Sequence, residues 1–379
     1  MSKNIIYITY QSFPAETANS TQSIANILEL VRQGNKLSLV FPNREKNSSD
    51  KLQDFQKYYS FAEEFTIFRL SHPLPFGRIN KFNKISFHIS HLMWSFFVST
   101  FNKKINHGDL YITRSDWVFL FLSLKKKSVI FECHTESKLR KILMKYSIKN
   151  SDSKVVFITK SLQTAFSDLD FRNQQNIVLN SGYRAEFFKN TTVKNEKQVV
   201  FVGSLLRFGE SRDIEFVLNC FGSEKLKDYE LKIVGGPENY VAKLQSDIQK
   251  LGLHNIQLIG RLDQQETSKI LMESSTGILI NSKNNKNSLL HTSPLKYFEY
   301  LAANLNIVAV DFPSHKNLPV SDNIAFFNFG DKKQFIDAIF NAESLPKPTR
   351  TEVENFSYER RIKKLLNFAR LEGLEPPTL

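Results

Sequence analysis

The sequence predicts an α/β protein with two doubly wound domains that face each other across a cleft. Short apolar runs alternate with helix-length amphipathic stretches through most of the 379 residues, and this alternation pauses once, at the polar segment 185–198, before it restarts. The strand candidates are continuous runs rich in Val, Ile and Phe, which is typical of strands buried on both faces of a parallel sheet. Two such series joined by a polar linker predict two domains with a ligand between them.

The first series predicts a domain over residues 1–184. Its helical patterns cover Thr21–Arg32, Lys81–Phe101 and Lys138–Ile148. The predicted strands are Ile5–Thr9, Leu37–Phe41, Thr66–Leu70, Leu110–Thr113, Val129–Glu132, Val155–Ile158 and Ile177–Leu179.

The second series predicts a domain over residues 199–345. A last segment, 346–379, carries a helix near Tyr358–Leu371 that we expect to pack back toward the first domain. The predicted strands are Val199–Val202, Leu231–Val234, Ile256–Ile259, Gly277–Ile280 and Ile307–Val310. The predicted helices between them are Asp213–Phe221, Tyr240–Leu251, Gln265–Glu273 and Leu295–Ala303.

The composition is that of an ordinary globular protein. Hydrophobic residues make up 41% of the chain and charged residues 23%, which argues against a disordered chain. The two cysteines, Cys133 and Cys220, lie far apart in the sequence, so neither a disulfide framework nor a paired-cysteine metal site is indicated. The first residues, MSKNIIYITYQSFP, lack the basic and long apolar regions of a secretory signal, which predicts a cytoplasmic protein.

The net charge of +13 is concentrated in the first half of the chain. Residues 1–184 contain 26 Lys and Arg against 14 Asp and Glu, whereas residues 185–379 contain 25 against 24. A basic region attracts nucleic acid, anionic lipid or a phosphorylated acceptor, or it is a solvated surface without a partner. The charge alone leaves these interpretations open.

The most apolar segment, Leu92–Phe101, is too short to span a membrane, which takes about 20 apolar residues. It is flanked by His88, His91 and Lys103–Lys104. Two interpretations remain open. One is a buried amphipathic helix, and the other is an interfacial helix with its apolar face in lipid and its lysines at the headgroups.

The sharpest local pattern is the segment HTSPLKYFEYLAA at His291–Ala303. Ser293 is the predicted N-cap of a helix and Pro294 its first helical residue. Because this helix follows a predicted strand, its N-terminus should face the sheet edge where ligands bind. The free backbone N–H groups there, together with the helix dipole, form an anion site.

Two charged residues extend this predicted anion site. Lys296 lies in the first turn, where a cation opposes the helix dipole at a cost of about 0.3–1 kcal/mol, and a bound phosphate would offset that cost. Glu299 lies on the same helix face. A nucleotide sugar requires such an array, with a cation for the diphosphate and a carboxylate for the ribose. An exposed Lys–Glu pair on a surface helix is the alternative.

The stretch SPLKYFEYLAANLNIVAVD resembles the donor-binding helix and following strand of family 4 glycosyltransferases, in the branch whose motif reads SPLK-F-EYMA. Other segments resemble this family in the same order and cover nearly the whole chain. They are Ala18–Pro42, Tyr111–His134, Val178–Phe188, Val200–Phe221, Leu231–Gly235, Ile256–Arg261 and Phe356–Tyr358. The resemblance implies the GT-B fold, with two Rossmann-like domains, of which the second binds the donor.

The resemblance also implies roles for single residues. Arg212 matches the basic residue that the family uses against the donor diphosphate. Arg207 is its substitute, because the loop that contains both is longer than usual. Lys296 and the backbone N–H groups of Ser293–Leu295 would hold the phosphates, and Glu299 the ribose. Arg261, with the glycine before it, lies where the base is usually packed.

The resemblance implies that two histidines lie nearest to the transferred sugar. His134 resembles the family's histidine at the cleft, although a histidine that merely ends a strand is the alternative. His291 stands where many members have the first glutamate of a Glu-x7-Glu pair whose second member is Glu299. Histidine cannot replace a carboxylate that stabilises developing positive charge, unless it is neutral and accepts a hydrogen bond.

Two further motifs carry no site in our interpretation. Asp168-Leu169-Asp170 has the Asp-x-Asp form of metal-dependent sugar transferases, but it lies in a polar loop, and we expect no metal. Gly235-Gly236-Pro237 follows a strand but lacks the Gly-x-Gly-x-x-Gly spacing of a dinucleotide site. We therefore expect no cofactor other than the nucleotide diphosphate sugar that serves as donor substrate.

The resemblance implies a retaining, hexosyltransferase-like enzyme that moves a sugar from a nucleotide diphosphate donor to a saccharide or lipid-linked acceptor in surface polysaccharide or glycan biosynthesis. The basic first half fits a peripheral position on the cytoplasmic face of an anionic membrane. Three alternatives remain: a nucleotide-sugar epimerase on the same fold, a non-catalytic family member suggested by His291, and a nucleic-acid-binding protein. We expect no nucleic-acid partner, because the sequence shows no RNA-binding signature.

Overall fold

The computed structural model describes residues 2–45, 47–72, 74, 83–190, 192–207 and 210–370. The chain divides into two compact units. The first unit runs to Asn180 and takes up the chain again from Arg361 onward, and the second unit is Ser181–Arg360.

The first unit is built on a seven-stranded parallel sheet. Its strands are β1 (Asn4–Ile8), β2 (Lys36–Pro42), β3 (Thr66–Leu70), β4 (Leu110–Thr113), β5 (Val129–Cys133), β6 (Ser153–Phe157) and β7 (Asn176–Val178). Their order in the sheet is β3-β2-β1-β4-β5-β6-β7, and the adjacent strands are parallel. The chain therefore builds the sheet outward in one direction from β1 and then in the other direction from β4.

In the part of the first unit that the structure describes, six α-helices connect these strands. They are α1 (Ala18–Arg32), α2 (Leu52–Tyr59), α3 (Asn83–Phe101), α4 (Asp116–Leu124), α5 (Lys138–Ser147) and α6 (Lys160–Ala165). Helix α1 starts at Thr17, α4 at Ser115, α5 at Ser137 and α6 at Thr159, and each of these side chains accepts a hydrogen bond from a backbone N–H in the first turn. Hydroxyl caps of this kind satisfy N–H groups that have no partner within the helix.

Both faces of the first sheet are covered, as the apolar strands predict. In β1, Ile5 and Tyr7 enter one hydrophobic core, and Ile6 and Ile8 enter the core on the opposite face. Cys133 at the end of β5 belongs to the second of these cores, and burial raises the pKa of its thiol to about 12.

Helix α3 has one buried face and an exposed face that is also apolar. Trp94 and Val98 are buried in a core together with Ser95 and Ser99, whereas Phe97 and Phe101 are exposed. The predicted buried face over Leu92–Phe101 is therefore present, but the apolar residues of this segment are not confined to it. None of the helices in the described ranges combines the length and apolar character that crossing a membrane would take.

The second unit has a six-stranded parallel sheet and a short antiparallel hairpin. Its strands are β8 (Asn195–Val202), β9 (Leu206–Arg207), β10 (Glu210–Ser211), β11 (Glu230–Val234), β12 (Ile256–Gly260), β13 (Ser274–Leu279), β14 (Asn306–Val310) and β15 (Ile324–Phe327). The sheet order is β12-β11-β8-β13-β14-β15, and β9 pairs with β10.

Among its described residues, the second unit contains eight α-helices. They are α7 (Ile214–Phe221), α8 (Glu238–Lys250), α9 (Gln264–Glu273), α10 (Lys286–Leu290), α11 (Leu295–Ala302), α12 (Pro313–Lys316), α13 (Lys332–Ser344) and α14 (Arg350–Glu354). The last helix, α15 (Tyr358–Arg370), belongs to the first unit from Arg361 onward. Cys220 in α7 lies in a core of the second unit, and burial raises its pKa to about 12.

The predicted fold class of two parallel α/β sheets is confirmed. The structure adds details that the sequence pattern missed, since β8 already begins at Asn195, a 3-10 helix occupies Ala185–Phe188, and Ile324–Phe327 forms a further strand. The predicted start of the helix at Lys81 lies outside the described residues.

Candidate functional site

The sheet of the second unit has its topological switch point between β8 and β13. These two strands are neighbours, but the chain leaves β8 toward β11 and later resumes on the other side with β13. In open α/β sheets the connections on the two sides of such a point diverge and leave a crevice at the carboxyl ends of the strands. Helix α11, which follows β13, starts at this edge.

Two glycines bring the backbone close together at this edge. Gly203, directly after β8, has a φ of +125°, and a Cβ atom there would lie 3.7 Å from Lys296 Nζ. Gly235, directly after β11, lies so close that its Cβ would be 1.9 Å from the carbonyl oxygen of Gly203. Side chains are therefore excluded here, which leaves a backbone-lined floor beside the Lys296 ammonium group.

Lys296 is buried, with 8% of its surface exposed. Its Nζ lies 3.8 Å from the centre of the Phe201 ring and has no hydrogen-bond partner among the residues that the structure describes. Burial lowers the pKa of Lys296 well below its usual range, the positive charge of Arg212 lowers it further, and Glu299 opposes both. A buried ammonium group without an acceptor is costly, so the lysine side chain is positioned for a ligand that brings negative charge.

The start of α11 differs from the prediction by one residue. Pro294 is the N-cap and Leu295 the first helical residue, so the prediction of Ser293 as N-cap and Pro294 as first residue is wrong. The Ser293 hydroxyl instead accepts a hydrogen bond from the Ser181 N–H at 3.1 Å, and the Ser181 hydroxyl donates to the Ser293 carbonyl at 3.1 Å. The helix start is thus held by the entry of the chain into the second unit.

Glu299 is partly buried and belongs to a polar network. Burial raises its pKa to about 7, while Lys296 and a hydrogen bond from Gln264 oppose the rise. The side-chain amide oxygen Oε1 of Gln264 also accepts a hydrogen bond from Arg184 Nη1 at 3.3 Å. Gln264 therefore orients the carboxylate one turn after Lys296, so the predicted alternative of an exposed Lys–Glu surface pair is wrong.

The three predicted arginines fall at different places in the second unit. Arg212 is half-buried just before α7, its N–H donates to the Leu205 carbonyl at 3.0 Å, and its charge acts on Lys296. Arg207 lies in the hairpin strand β9, and its side chain is outside the described part of the chain. Arg261 follows β12, and its side chain lies against Gly236, where an added Cβ would be 2.4 Å from Arg261 Nε. The long loop of the prediction is the β9–β10 hairpin.

His291 is buried as the residue that ends α10. Its N–H donates to the Asn287 carbonyl at 3.0 Å, and 6% of its surface is exposed. It lies four residues before the start of α11, so the chain carries it to the same edge of the sheet.

The first unit holds its own buried polar cluster at the end of β5. His134 Nε2 lies 3.3 Å from Glu132 Oε1, and Arg361 Nη2 contacts the same carboxylate oxygen at 2.5 Å. Burial, with the charge of Arg114, lowers the pKa of His134 to about 4 although Glu132 opposes the shift. Burial acts to raise the pKa of Glu132, but Arg361, His134 and Arg114 hold it far below its usual range. His134 is therefore neutral at pH 7.

In the Asp168-Leu169-Asp170 motif of the first unit, the first aspartate forms a surface ion pair. Asp168 is an exposed residue, and its carboxylate forms an ion pair with Lys141 at 3.0 Å. It contributes to the surface of the first unit.

Residues 196–342 match the family model of glycosyl transferases, group 1. This range covers nearly the whole second sheet, with Arg207, Arg212, Arg261, His291, Lys296 and Glu299 inside it. No curated protein sequence matches the chain.

Solved structures resemble the chain over nearly its whole length. Sucrose-phosphate synthase from Thermosynechococcus elongatus gives a TM-score of 0.68 at 13% identity and covers 97% of this chain and 98% of its own. Anabaena HepE in complex with UDP and glucose gives 0.62 at 12% identity, with 96% and 98% covered. The E. coli structure titled trehalose-6-phosphate, bound with UDP-2-fluoro glucose, gives 0.63 at 11% identity, with 97% and 99% covered.

The chain has the GT-B fold. Its second unit carries the group 1 glycosyltransferase match, and the sharpest sequence motif of this GT-B protein lies at the switch point of that unit. The structure brings Lys296 into the electrostatic range of Arg212 and Glu299. It places His134 in the other unit of the chain.

Sequence reasoning missed three residues that surround the charged side chains of α11: Phe201, Gly203 and Gln264. Gly203 had a usable signal, because a glycine directly after the first strand of a doubly wound domain allows close approach of a ligand. For Phe201 the sequence pattern indicates only a position in a strand, and for Gln264 only a position at the start of a helix. Their contacts with the side chains of α11 are tertiary, and no local spacing encodes them.

Proposed function

We propose that this protein is a glycosyltransferase that binds a nucleotide diphosphate sugar at the start of α11 and transfers the sugar to a saccharide or lipid-linked acceptor. The observation that carries the proposal is Lys296, a buried amine beside a second cation, with no hydrogen-bond acceptor in the described part of the chain. A diphosphate would supply both the acceptor and the compensating charge.

The donor would use the groups that meet at the switch point of the second unit. Lys296, Arg212 and the N–H groups at the start of α11 would hold the diphosphate and stabilise its charge as it leaves the sugar. Glu299, oriented by Gln264, would bind the ribose hydroxyls. Arg261 would border the base, and Arg207 would contribute from the hairpin.

The sugar and acceptor chemistry would involve the two histidines. His291 would lie near the transferred sugar, in place of the carboxylate that many family 4 members have. His134, neutral at pH 7, would act near the acceptor hydroxyl. We further propose that the reaction proceeds with retention, that the enzyme is hexosyltransferase-like, and that it acts in the cytoplasm in surface polysaccharide assembly.

The solved relatives support the choice of donor class. Anabaena HepE was solved with UDP and glucose, and the E. coli relative with UDP-2-fluoro glucose. At identities of 11–13%, they support a nucleotide sugar for this chain without specifying its base or sugar.

A panel of nucleotides and nucleotide sugars tests the proposal. We expect the nucleoside diphosphate and the nucleotide sugar of one particular base to raise the melting temperature of the protein. When an acceptor is present, this nucleotide sugar should release nucleoside diphosphate. Isomerised nucleotide sugar without free diphosphate would indicate the epimerase instead. Binding without either product would indicate a non-catalytic member, and no response to any nucleotide would refute the donor site.

Nucleotide binding is expected to take up protons. The negative charge of a bound diphosphate would raise the pKa of Lys296 from its lowered value, so this group would gain protons on binding. Affinity should therefore fall as pH rises, by at most about tenfold per pH unit for each proton. Titration calorimetry in buffers with different ionisation enthalpies measures the uptake. The Lys296→Met variant should take up fewer protons per bound nucleotide than the wild type. Release of protons by the wild type on binding would contradict the assignment of Lys296 to the diphosphate.

A further inference from the structure

We infer that the outward face of α3, α4 and α5 docks on an anionic lipid surface. This docking face is defined by its exposed apolar side chains: Ile85, Ile89, Met93, Phe96, Phe97, Phe101, Leu124, Ile142 and Tyr146. All of them belong to the first unit, whereas the residues of the proposed donor site belong to the second, so the inference does not depend on the proposed reaction.

The first support is the apolar outward face of α3. Its inward face combines the core residues Trp94 and Val98 with polar groups, since Ser90 bonds the Tyr10 hydroxyl at 2.7 Å and His91 Nε2 lies 2.6 Å from the Ser115 hydroxyl. Apart from His88, the exposed side chains of its outward face are apolar, up to Phe101 at 62% exposure. The outward face of a surface helix in water is ordinarily polar. The arrangement therefore fits a helix whose outer face is covered by an apolar medium.

The second support is that the exposed rings of α3 join half-buried rings of α4 in one cluster. Phe96 lies 5.8 Å from Phe101 and 5.4 Å from Phe121 of α4, measured between ring centres, and Phe121 stacks on Trp117 at 6.3 Å. Helix α4 packs against both α3 and α5, and α5 exposes two further apolar side chains, Ile142 and Tyr146. Contiguous apolar patches of this kind mark sites of protein or membrane contact.

The third support is a basic rim, by which we mean the exposed lysines that follow α4 and those that lie on or directly after α5. Lys125 Nζ donates to the Thr100 carbonyl at 3.1 Å, which puts a cation beside the C-terminal turn of α3. Asp116, at the start of α4, is neutralised by Arg140 at 2.6 Å. The exposed lysines of the rim are Lys125, Lys126, Lys138, Lys145 and Lys149. Apolar side chains bordered by lysines match the acyl boundary and headgroups of an anionic bilayer.

The charge of the rim also selects lipid over a second copy of the chain. In a two-fold symmetric dimer the same patch faces itself, so the two lysine rims would lie against each other and repel. Nucleic acid would pair with the lysines but would leave the phenylalanine cluster in water. An anionic bilayer satisfies both parts of the face.

Vesicle sedimentation tests the inference. The full chain should pellet with phosphatidylcholine vesicles that contain phosphatidylglycerol, and much less with pure phosphatidylcholine. Phe96→Ser/Phe97→Ser should lower the partition coefficient by about tenfold or more, because less apolar area enters the bilayer. Lys125→Glu/Lys126→Glu should lower it on anionic vesicles and weaken its dependence on salt.

Matched controls come from the second unit. Leu251 is 60% exposed, so Leu251→Ser tests whether loss of any exposed apolar side chain lowers vesicle binding. Lys250→Glu tests whether any reversal of a surface charge lowers it. Both control variants should pellet with anionic vesicles as the wild type does. A wild type that stays in the supernatant with anionic vesicles would overturn the inference, as would equal binding by the double serine variant. A dimer in light scattering that Phe96→Ser/Phe97→Ser dissociates would assign the face to a second copy instead. Nucleotide-induced thermal shifts of these variants separate failure here from failure of the donor site.

Discussion

Replacing Lys296 with methionine is expected to weaken nucleotide diphosphate binding about 100-fold, as the loss of one preorganised cation against a buried phosphate does. The ligand-free protein should be at least as stable as the wild type. Methionine fills the space over the Phe201 ring and removes a buried amine that has no acceptor within the described residues. Loss of binding with retained stability is the combination that a ligand-binding lysine predicts and a structural lysine does not.

Differential scanning fluorimetry with the nucleotide identified in the panel measures both quantities. At about 100 times the dissociation constant the wild type gains about 2.7 kcal/mol, which corresponds to roughly 5–10 °C for a unit of this size. At the same concentration Lys296→Met should gain only about 1 °C. Lys250→Met, at an exposed lysine of α8, is the control and should respond as the wild type. A Lys296→Met variant that keeps the full shift would place the diphosphate elsewhere.

Replacing Arg361 with alanine is expected to destabilise the first unit by about 3–5 kcal/mol, because it leaves the buried Glu132 carboxylate without its cation. Both side chains are almost fully buried, with 4% and 3% exposed. Arg361 also donates to Asn26 at 2.9 Å and to the Asn180 carbonyl at 2.8 Å. It thus ties the last helix to α1 and to the end of the first unit's main segment.

Urea unfolding followed by circular dichroism measures this loss, and a double variant identifies its cause. Arg361→Met/Glu132→Gln removes both charges and should recover part of the stability that Arg361→Ala loses. The difference between wild type and Arg361→Ala should narrow as pH falls below about 4.5. The lowered pKa of Glu132 gives the wild type stability above the unfolded value that is lost on acidification, whereas the variant's carboxyl takes up its proton earlier. A loss that does not change with pH would indicate packing alone.

Much of the fold could be predicted because buried parallel strands are recognisable from short stretches of sequence. Val199–Val202 and Ile307–Val310 are continuous apolar runs, and both lie within observed strands. Ile324–Phe327 was missed because four residues beside polar turns give too short a run to distinguish from a loop. Its strand character comes from pairing with β14.

The site was predicted less completely than the fold, and the reason is physical. Lys296 and Glu299 stand out in sequence because a charged pair lies in an otherwise apolar helix. The cap was misplaced because the Ser293 hydroxyl binds Ser181, a residue more than a hundred positions away. The outward face of α3 could not be predicted either, since the run LMWSFFVSTF contains the same residues whichever side faces the sheet.

The two cysteines allow local opening of each unit to be measured. Cys133 sits in a core of the first unit and Cys220 in a core of the second, and both are free, buried thiols. With thiol pKa values near 12, neither reacts with a disulfide reagent until its own core opens, because the thiolate is the reactive form. The rate at which each sulfur is labelled therefore measures how often each half of the molecule exposes its interior, without any added probe.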